Sequence, residues 1–414
     1  MDVETPRPDG SLGPLYLASS LEGHGIETDI LDASVGTSDQ TLEDTFYRNV
    51  HQENGLTRIG MGFDEIAEHV AKGEYDFVGI SSNFTPQTKM AFETASAIRK
   101  ANPNTRIYAG GVNARALYRR FLETGYFDGI CLTEGEVILP EVIQSDSHKI
   151  PGMAFTSDGK IIANPATEEC FPKHLDDLPM PSWEKMPFDK YVQISSPHGV
   201  DVTGQSSKRY APMMTSRGCR FRCLYCHISG EKEEDSPTGD IGSLRTHSLE
   251  RVAQEVEKLE SLGVEKIFFE DDTLLSGKTR VEQIFQHLQD KNFQIANVNG
   301  VNLIDFYNIG GEEWSMDRDY IRLLKRAGFD QMVFPAESGS QRILRKYATN
   351  KVNLDRMNLP KLMQTMSDEG ILAPVNIMIG FPDETEEEMR QSAELGRQLI
   401  DSGAPYVTFF IPIP

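Results

Sequence analysis

Cys219, Cys223 and Cys226 stand within eight residues, in the run Ser216-Arg217-Gly218-Cys219-Arg220-Phe221-Arg222-Cys223-Leu224-Tyr225-Cys226. Thiolates are the preferred ligands of iron–sulfur clusters. Three thiols ligate three irons of a [4Fe–4S] cluster and leave the fourth open, where an exogenous ligand can be activated. Arg217, Arg220 and Arg222 would offset the negative charge of such a cluster. A zinc knuckle is the rival reading, but zinc normally takes four ligands. His227 is adjacent to Cys226, and neighbouring residues rarely reach one tetrahedral ion together. No second Cys or Cys/His pair follows. The remaining thiols are Cys131 and Cys170. An odd total with three packed together argues against a secreted disulfide framework.

The thiols follow directly on the first strand of a β/α series. Its expected strands are 212–216, 266–269, 294–298, 331–335, 374–379 and 406–410. Helices are expected over 249–262, 280–289, 319–327, 353–369 and 385–402. Six β/α steps are too few for a closed eight-stranded barrel. They suit a partial (β/α)6 barrel with its site at the strand C-termini. The first 145 or so residues also alternate. Helices are expected over 14–23, 64–72, 87–100 and 114–124, and strands over 28–31, 76–81, 106–109 and 129–132. That spacing implies a parallel α/β sheet, whose ligands lie beyond the strand C-termini. Between the two series, 153–163 reads as a hairpin turning at Ser157-Asp158-Gly159. The Pro-rich run 176–183 reads as extended chain. The expected divisions are residues 1–150, a linker with hairpin over 151–207, and a barrel over 208–414.

The cysteine loop and its setting resemble the radical S-adenosylmethionine superfamily, and further matches fall in order along the barrel. Phe269-Glu270-Asp271-Asp272-Thr273 ends the second strand, where that family holds the amino group of the methionyl moiety. Carboxylates suit an ammonium group, although Asp271 and Asp272 also suit helix capping. Ala336-Glu337-Ser338-Gly339-Ser340 ends the fourth strand. It resembles the segment that meets the cofactor's ribose or carboxylate through residues such as Glu337 and Ser338, and Ser338 equally suits a helix cap. Gly380-Phe381-Pro382-Asp383-Glu384-Thr385 resembles the turn near the adenine, with Gly380 permitting close backbone approach. Tyr225 stands at the aromatic position that packs by the adenine in the family; ordinary packing is the alternative.

The first 150 residues resemble the Rossmann-like, flavodoxin-like cobalamin-binding domains fused ahead of such barrels. Ile80-Ser81-Ser82-Asn83 resembles the serine turn that meets the cobalamin nucleotide tail. Gly110 and Gly111 resemble the paired glycines against which the tail lies, though any tight turn can use such a pair. Glu134-Gly135-Glu136 is also typical of the fused group. Many cobalamin domains carry an Asp-x-His-x-x-Gly loop whose histidine binds cobalt. Here Pro8 and Gly10 stand where the Asp and His would be, so no protein imidazole is expected below cobalt. His24 reads as a surface residue. An opening apolar strand is missing from the start, and the family's last helix and C-terminal region are expected beyond residue 414.

With 41 Lys+Arg against 63 Asp+Glu, the net charge of −22 repels a polyanion, which argues against a nucleic-acid substrate. Neither a membrane span nor a signal peptide is legible, and the expected compartment is the cytoplasm. The resemblance implies a [4Fe–4S] cluster, S-adenosylmethionine, cobalamin and an electron donor such as flavodoxin or ferredoxin. Its first implied reaction is methylation of an unactivated carbon in a small molecule or peptide. The alternatives are a cobalamin-dependent radical cyclase or rearrangement enzyme, and a non-catalytic cobalamin-binding regulator.

Overall fold

The computed structural model describes residues 12–52, 55, 57–145, 149–194, 208–297, 299–310, 314–349 and 351–412. Two compact units emerge. One is Gly10–Tyr191 with Glu231–Ile241, and the other is Val192–Gly230 with Gly242–Pro414.

The first unit is a sheet covered on both faces. Its elements run α1 (Leu12–Gly23), α2 (Phe63–Lys72), β1 (Phe77–Ser81), α3 (Thr88–Ala101), β2 (Arg106–Gly110), α4 (Val112–Ala116), α5 (Tyr118–Glu123), β3 (Gly129–Cys131), α6 (Gly135–Gln144), β4 (Met153–Ser157) and β5 (Lys160–Asn164). The sheet order is β1-β2-β3-β4-β5. The first three strands are parallel; β4 and β5 join antiparallel. Period-two alternation splits the side chains between two cores. Ile107, Ala109 and Ile130 pack with Ala95, Ile98 and Phe121. Tyr108, Cys131, Met153 and Phe155 pack with Leu21, Ile138 and Val142. The second core also takes Cys170, Phe171 and Ile241.

Three local expectations change. The hairpin at 153–163 continues the first unit's sheet, turning at Asp158 (φ 50°) and Gly159 (φ 72°). The helix expected over 114–124 breaks at Leu117 into α4 and α5. The strand expected at 28–31 does not form. Its groups are held by side chains instead: Lys185 Nζ donates to the Thr28 carbonyl at 2.7 Å, and Tyr75 Oη to Asp29 at 2.7 Å. A strand needs a ladder partner, and among the described residues none lies beside this segment. The stretch Pro8–Ser11, read as the altered histidine loop, lies outside the described residues.

The second unit carries β6 (Tyr210–Met213), α7 (Leu249–Ser261), β7 (Lys266–Phe269), α8 (Lys278–Leu288), β8 (Gln294–Asn297), α9 (Arg318–Arg326), β9 (Phe329–Met332), β10 (Phe334–Glu337), α10 (Gln341–Tyr347), α11 (Leu359–Asp368), β11 (Val375–Met378), α12 (Glu386–Asp401) and β12 (Val407–Phe410). Two parallel sheets run β6-β7-β8-β9 and β10-β11-β12. β9 and β10 are one strand interrupted at Val333, where backbone bonds continue across: Met332 N–H donates to Leu372 and Phe334 N–H to Pro374. The result is six parallel β/α steps. Most of these helices start on side-chain caps, α8 at Gly277 excepted. Ser248 accepts from Arg251 N–H to open α7, and Thr385 with Glu388 forms a capping box on α12. Phe269, Phe285 and Phe329 lock β7, α8 and β9 edge-to-face. Among the described residues no helix is long and apolar enough to cross a membrane.

Candidate functional site: the strand ends of the two units

The cysteine loop leaves β6 through a sharp turn. Gly218 has φ 80°, and a Cβ there would lie 2.5 Å from the Ser243 carbonyl oxygen and 2.6 Å from that of Gly242. Only glycine fits so close a backbone approach at positive φ. Cys219 N–H donates to Gly242 O, and Cys226 N–H to Cys223 O. Asp272 accepts from Gly218 N–H at 3.0 Å. None of the five cysteines is in a disulfide; Cys223 is buried, and Cys219 and Cys226 are half-buried. Burial pushes the Cys226 thiol up to about 11, with Cys223, Asp272 and Cys219 adding to the shift. Cys223 and Cys219 thus lie within electrostatic reach of Cys226. Among the described residues no three His, Cys, Asp or Glu side chains converge to hold a single metal ion.

The arginines divide. Arg220 pairs with Asp305 and covers the ring of Phe221. Arg222 is exposed. Burial raises Asp305 to about 6 even against Arg220.

The predicted cofactor residues of the second unit separate into two groups. Asp271 is fully buried, and its carboxylate accepts from Thr215 N–H, Thr215 Oγ1 and Ser216 Oγ at 2.6–3.0 Å. These bonds clamp the end of β6. Asp272 spends an oxygen on the cysteine loop. Ser338 is also fully buried; it accepts from Ser340 N–H and touches Ser392 Oγ. These bonds hold the turn into α10.

Tyr225, Glu337 and Gly380 come together. Burial raises the Tyr225 hydroxyl far above the usual phenol range, with Glu337 and Cys223 as its charged neighbours. That hydroxyl is buried and makes no well-aligned hydrogen bond. Its ring centroid lies 5.8 Å from Phe381, which stacks on Tyr347 at 4.7 Å. Gly380 has φ 87° and donates to Glu384 Oε2 at 2.6 Å. Glu337 sits at φ 64°, in the left-handed region. Its carboxylate meets Lys351 Nζ at 2.7 Å, with only 7% and 13% of the two side chains exposed. Burial works against the Lys351 ammonium, but Glu337 and the Cys223 and Cys219 thiols outweigh it and raise its pKa. Thr349 Oγ1 is 3.6 Å from Cys223 Sγ. Sequence reasoning missed Lys351 and Thr349, because no spacing rule joins them to a motif beyond α10.

In the first unit the expected residues stand at the C-terminal ends of parallel strands. Ser81 is exposed at the end of β1. Gly110 ends β2, and a Cβ there would touch only Cys131 Cβ, at 3.6 Å. Gly111 has φ 96°, and its Cβ would lie 2.4 Å from Asn83 Oδ1. Glu134 precedes α6 as its N-cap. Thr133, beyond β3, carries a buried hydroxyl without a hydrogen-bond partner. Such an orphaned polar atom calls for a ligand or water. His24 is exposed and bonds Ser20 O through Nδ1. The buried thiol of Cys131 is pushed up to about 11, chiefly by burial, and is unreactive there.

Comparison with known proteins agrees with both units. Residues 213–396 match the family model of the radical SAM superfamily, and residues 10–143 match that of the B12 binding domain. The cytidylyl-2-hydroxyethylphosphonate methyltransferase of Streptomyces wedmorensis is 25% identical over 99% of this chain and 77% of its own length. An uncharacterized methyltransferase of Pyrococcus horikoshii is 27% identical over 85% of this chain and 70% of its own. The radical S-adenosylmethionine methyltransferase TsrM from Kitasatospora setae, solved with cobalamin and a [4Fe–4S] cluster bound, shares the fold. Its TM-score is 0.67 at 15% identity, over 98% of this chain and 72% of that one. The chain thus carries a radical SAM domain over 213–396 behind a B12-binding domain over 10–143.

Proposed function

We propose that this chain is a cobalamin-dependent radical S-adenosylmethionine methyltransferase acting on an unactivated carbon of a small molecule or peptide. The observation that carries the reading is the three cysteines on one strand-end loop, with Cys223 and Cys219 in electrostatic reach of Cys226, and with Cys223 and Glu337 as neighbours of Tyr225. When bound, the cluster supplies the electron that opens S-adenosylmethionine to a 5′-deoxyadenosyl radical, and cobalamin supplies methyl transfer. The protein's share is positioning and exclusion of water.

Cys219, Cys223 and Cys226 would hold the cluster. Gly218 and Asp272 hold their loop in place. Glu337, beside Tyr225 and paired with Lys351, would stand at the ribose or carboxylate of S-adenosylmethionine, as the resemblance implies. Gly380 and Phe381 shape the adenine end. In the first unit Ser81, Gly110, Gly111 and Glu134 would line the cobalamin tail. The orphaned Thr133 hydroxyl fits a polar ligand there. The reading of a phosphonate methylase as a relative supports methylation and leaves the substrate itself open to assay.

The test is anaerobic reconstitution with iron, sulfide and hydroxocobalamin, followed by assay of 5′-deoxyadenosine and S-adenosylhomocysteine. Both products together are expected. Deoxyadenosine alone would favour a cyclase or rearrangement, and neither product would favour a binding regulator. Replacing any of the three cysteines by alanine should abolish deoxyadenosine and lower bound iron while leaving cobalamin uptake intact.

A further inference from the structure

Cys223 is surrounded by side chains that no motif assigns. Thr349, itself at φ 49°, puts its hydroxyl 3.6 Å from the thiol. Lys351 has the Cys223 and Cys219 thiols among its charged neighbours. Glu337, which pairs with Lys351 at 2.7 Å, has its backbone in the left-handed region, a strained conformation for an L-residue. Stability does not account for the pair, since a buried ion pair seldom outperforms apolar packing. Strain of this kind is kept where a site is held in shape.

We propose that Lys351, held by Glu337, and Thr349 set the reduction potential of the cluster ligated through Cys223. This rests on the reading that Cys219, Cys223 and Cys226 hold a [4Fe–4S] cluster. Reduction adds one electron and one negative charge to the cluster. A nearby ammonium favours that reduced form, and a hydroxyl donating to a ligating sulfur does the same. Glu337 limits the effect by neutralising part of the Lys351 charge. The three residues therefore act with predictable and opposite signs. Lys351 and Thr349 are positioning residues, acting on the cluster rather than on substrate.

The experiment is a potentiometric titration of the reconstituted holoprotein without S-adenosylmethionine, followed by electron paramagnetic resonance, with iron and sulfide counted for each variant. Lys351→Met should shift the midpoint to more negative potential, leaving on the order of tenfold less reduced cluster at a fixed potential. Thr349→Val should shift it the same way by less. Glu337→Gln should shift it to more positive potential, and Lys351→Arg should stay near wild type. Unchanged midpoints, or shifts of Lys351→Met and Glu337→Gln in one direction, overturn the inference. If Lys351→Met takes up no iron, Thr349→Val and Glu337→Gln decide it by the same rule. Failure of the underlying reading looks different: wild type would bind no cluster, or cysteine variants would keep theirs.

Discussion

Gly218→Ala is the sharpest test of how the backbone presents the three thiols. Gly218 sits at φ 80°, which costs an alanine about 1–2 kcal/mol. The added methyl would lie 2.5 Å and 2.6 Å from two carbonyl oxygens, those of Ser243 and Gly242. These are backbone atoms, so relief requires moving the chain rather than turning a side chain. Gly242 O is also the acceptor for Cys219 N–H, so relief at one atom displaces the first thiol. Together the strain and the overlap should cost about 2–4 kcal/mol. For a unit of this size that corresponds to a fall in melting temperature of roughly 4–16 °C. The assay is thermal unfolding by circular dichroism, paired with iron counted per chain after reconstitution. Lower melting and less iron are expected, with cobalamin uptake by the first unit preserved. A full iron complement at wild-type melting temperature would refute the claim that the turn must be glycine.

Three more perturbations probe other parts of the same account. Glu255 is raised to about 7, chiefly by burial and against the opposition of Arg251. Its folded value lies above the unfolded carboxylate value, so the folded chain holds an extra proton in between and stability falls as pH rises through that window. Urea titrations should therefore show Glu255→Gln gaining on wild type by about 2–3 kcal/mol from about pH 5 to about pH 8; a pH-independent difference would reject the burial argument. Thr385→Ala removes the hydroxyl that accepts from Glu388 N–H in the α12 capping box. It should cost about 1 kcal/mol of stability in denaturant, with no change in iron content. Thr133→Val replaces an orphaned buried hydroxyl by a methyl of similar size. The ligand-free protein should be as stable as wild type or more so. Spectral titration with hydroxocobalamin should show weaker binding, and unaltered binding would remove Thr133 from the cobalamin site.

The β/α alternation was legible because buried parallel strands are short apolar runs and the helices between them carry capping residues. Thr385 with Glu388 marks the start of α12 as plainly in the chain as in the fold. What failed were stretches whose state depends on partners. Residues 28–31 have strand composition but no neighbouring strand, so their polar groups go to Lys185 and Tyr75. Residues 114–124 read as one helix, yet Leu117 adopts φ −108° and ψ 23° and splits it. The hairpin over 153–163 was legible as a hairpin. Its membership of the first unit's sheet depends on the pairing of Ile130 with Ala154, contacts between residues far apart in the chain.

The site divides along the same physical line. The cysteine spacing is local chemistry, and it could be read from three positions. The carboxylates could not, because their neighbours in space decide what they do. Asp271 and Glu337 both end a barrel strand, and the resemblance gave both to the cofactor. Asp271 is consumed by two hydroxyls and a backbone N–H from the end of β6. A carboxylate with its acceptors filled in a buried place has little left to offer an ammonium group. Glu337 instead turns into the left-handed region, and its carboxylate pairs with a lysine fourteen residues later in sequence. That lysine shares its surroundings with two of the three thiols. A positive φ at a glutamate leaves no mark in composition or periodicity, since only glycine and asparagine advertise that conformation. What separates Asp271 from Glu337 here is which neighbours their oxygens meet. The pairing with Lys351 also ties Glu337 to the charge around Cys223, which makes the end of the fourth strand part of the cysteine loop's environment.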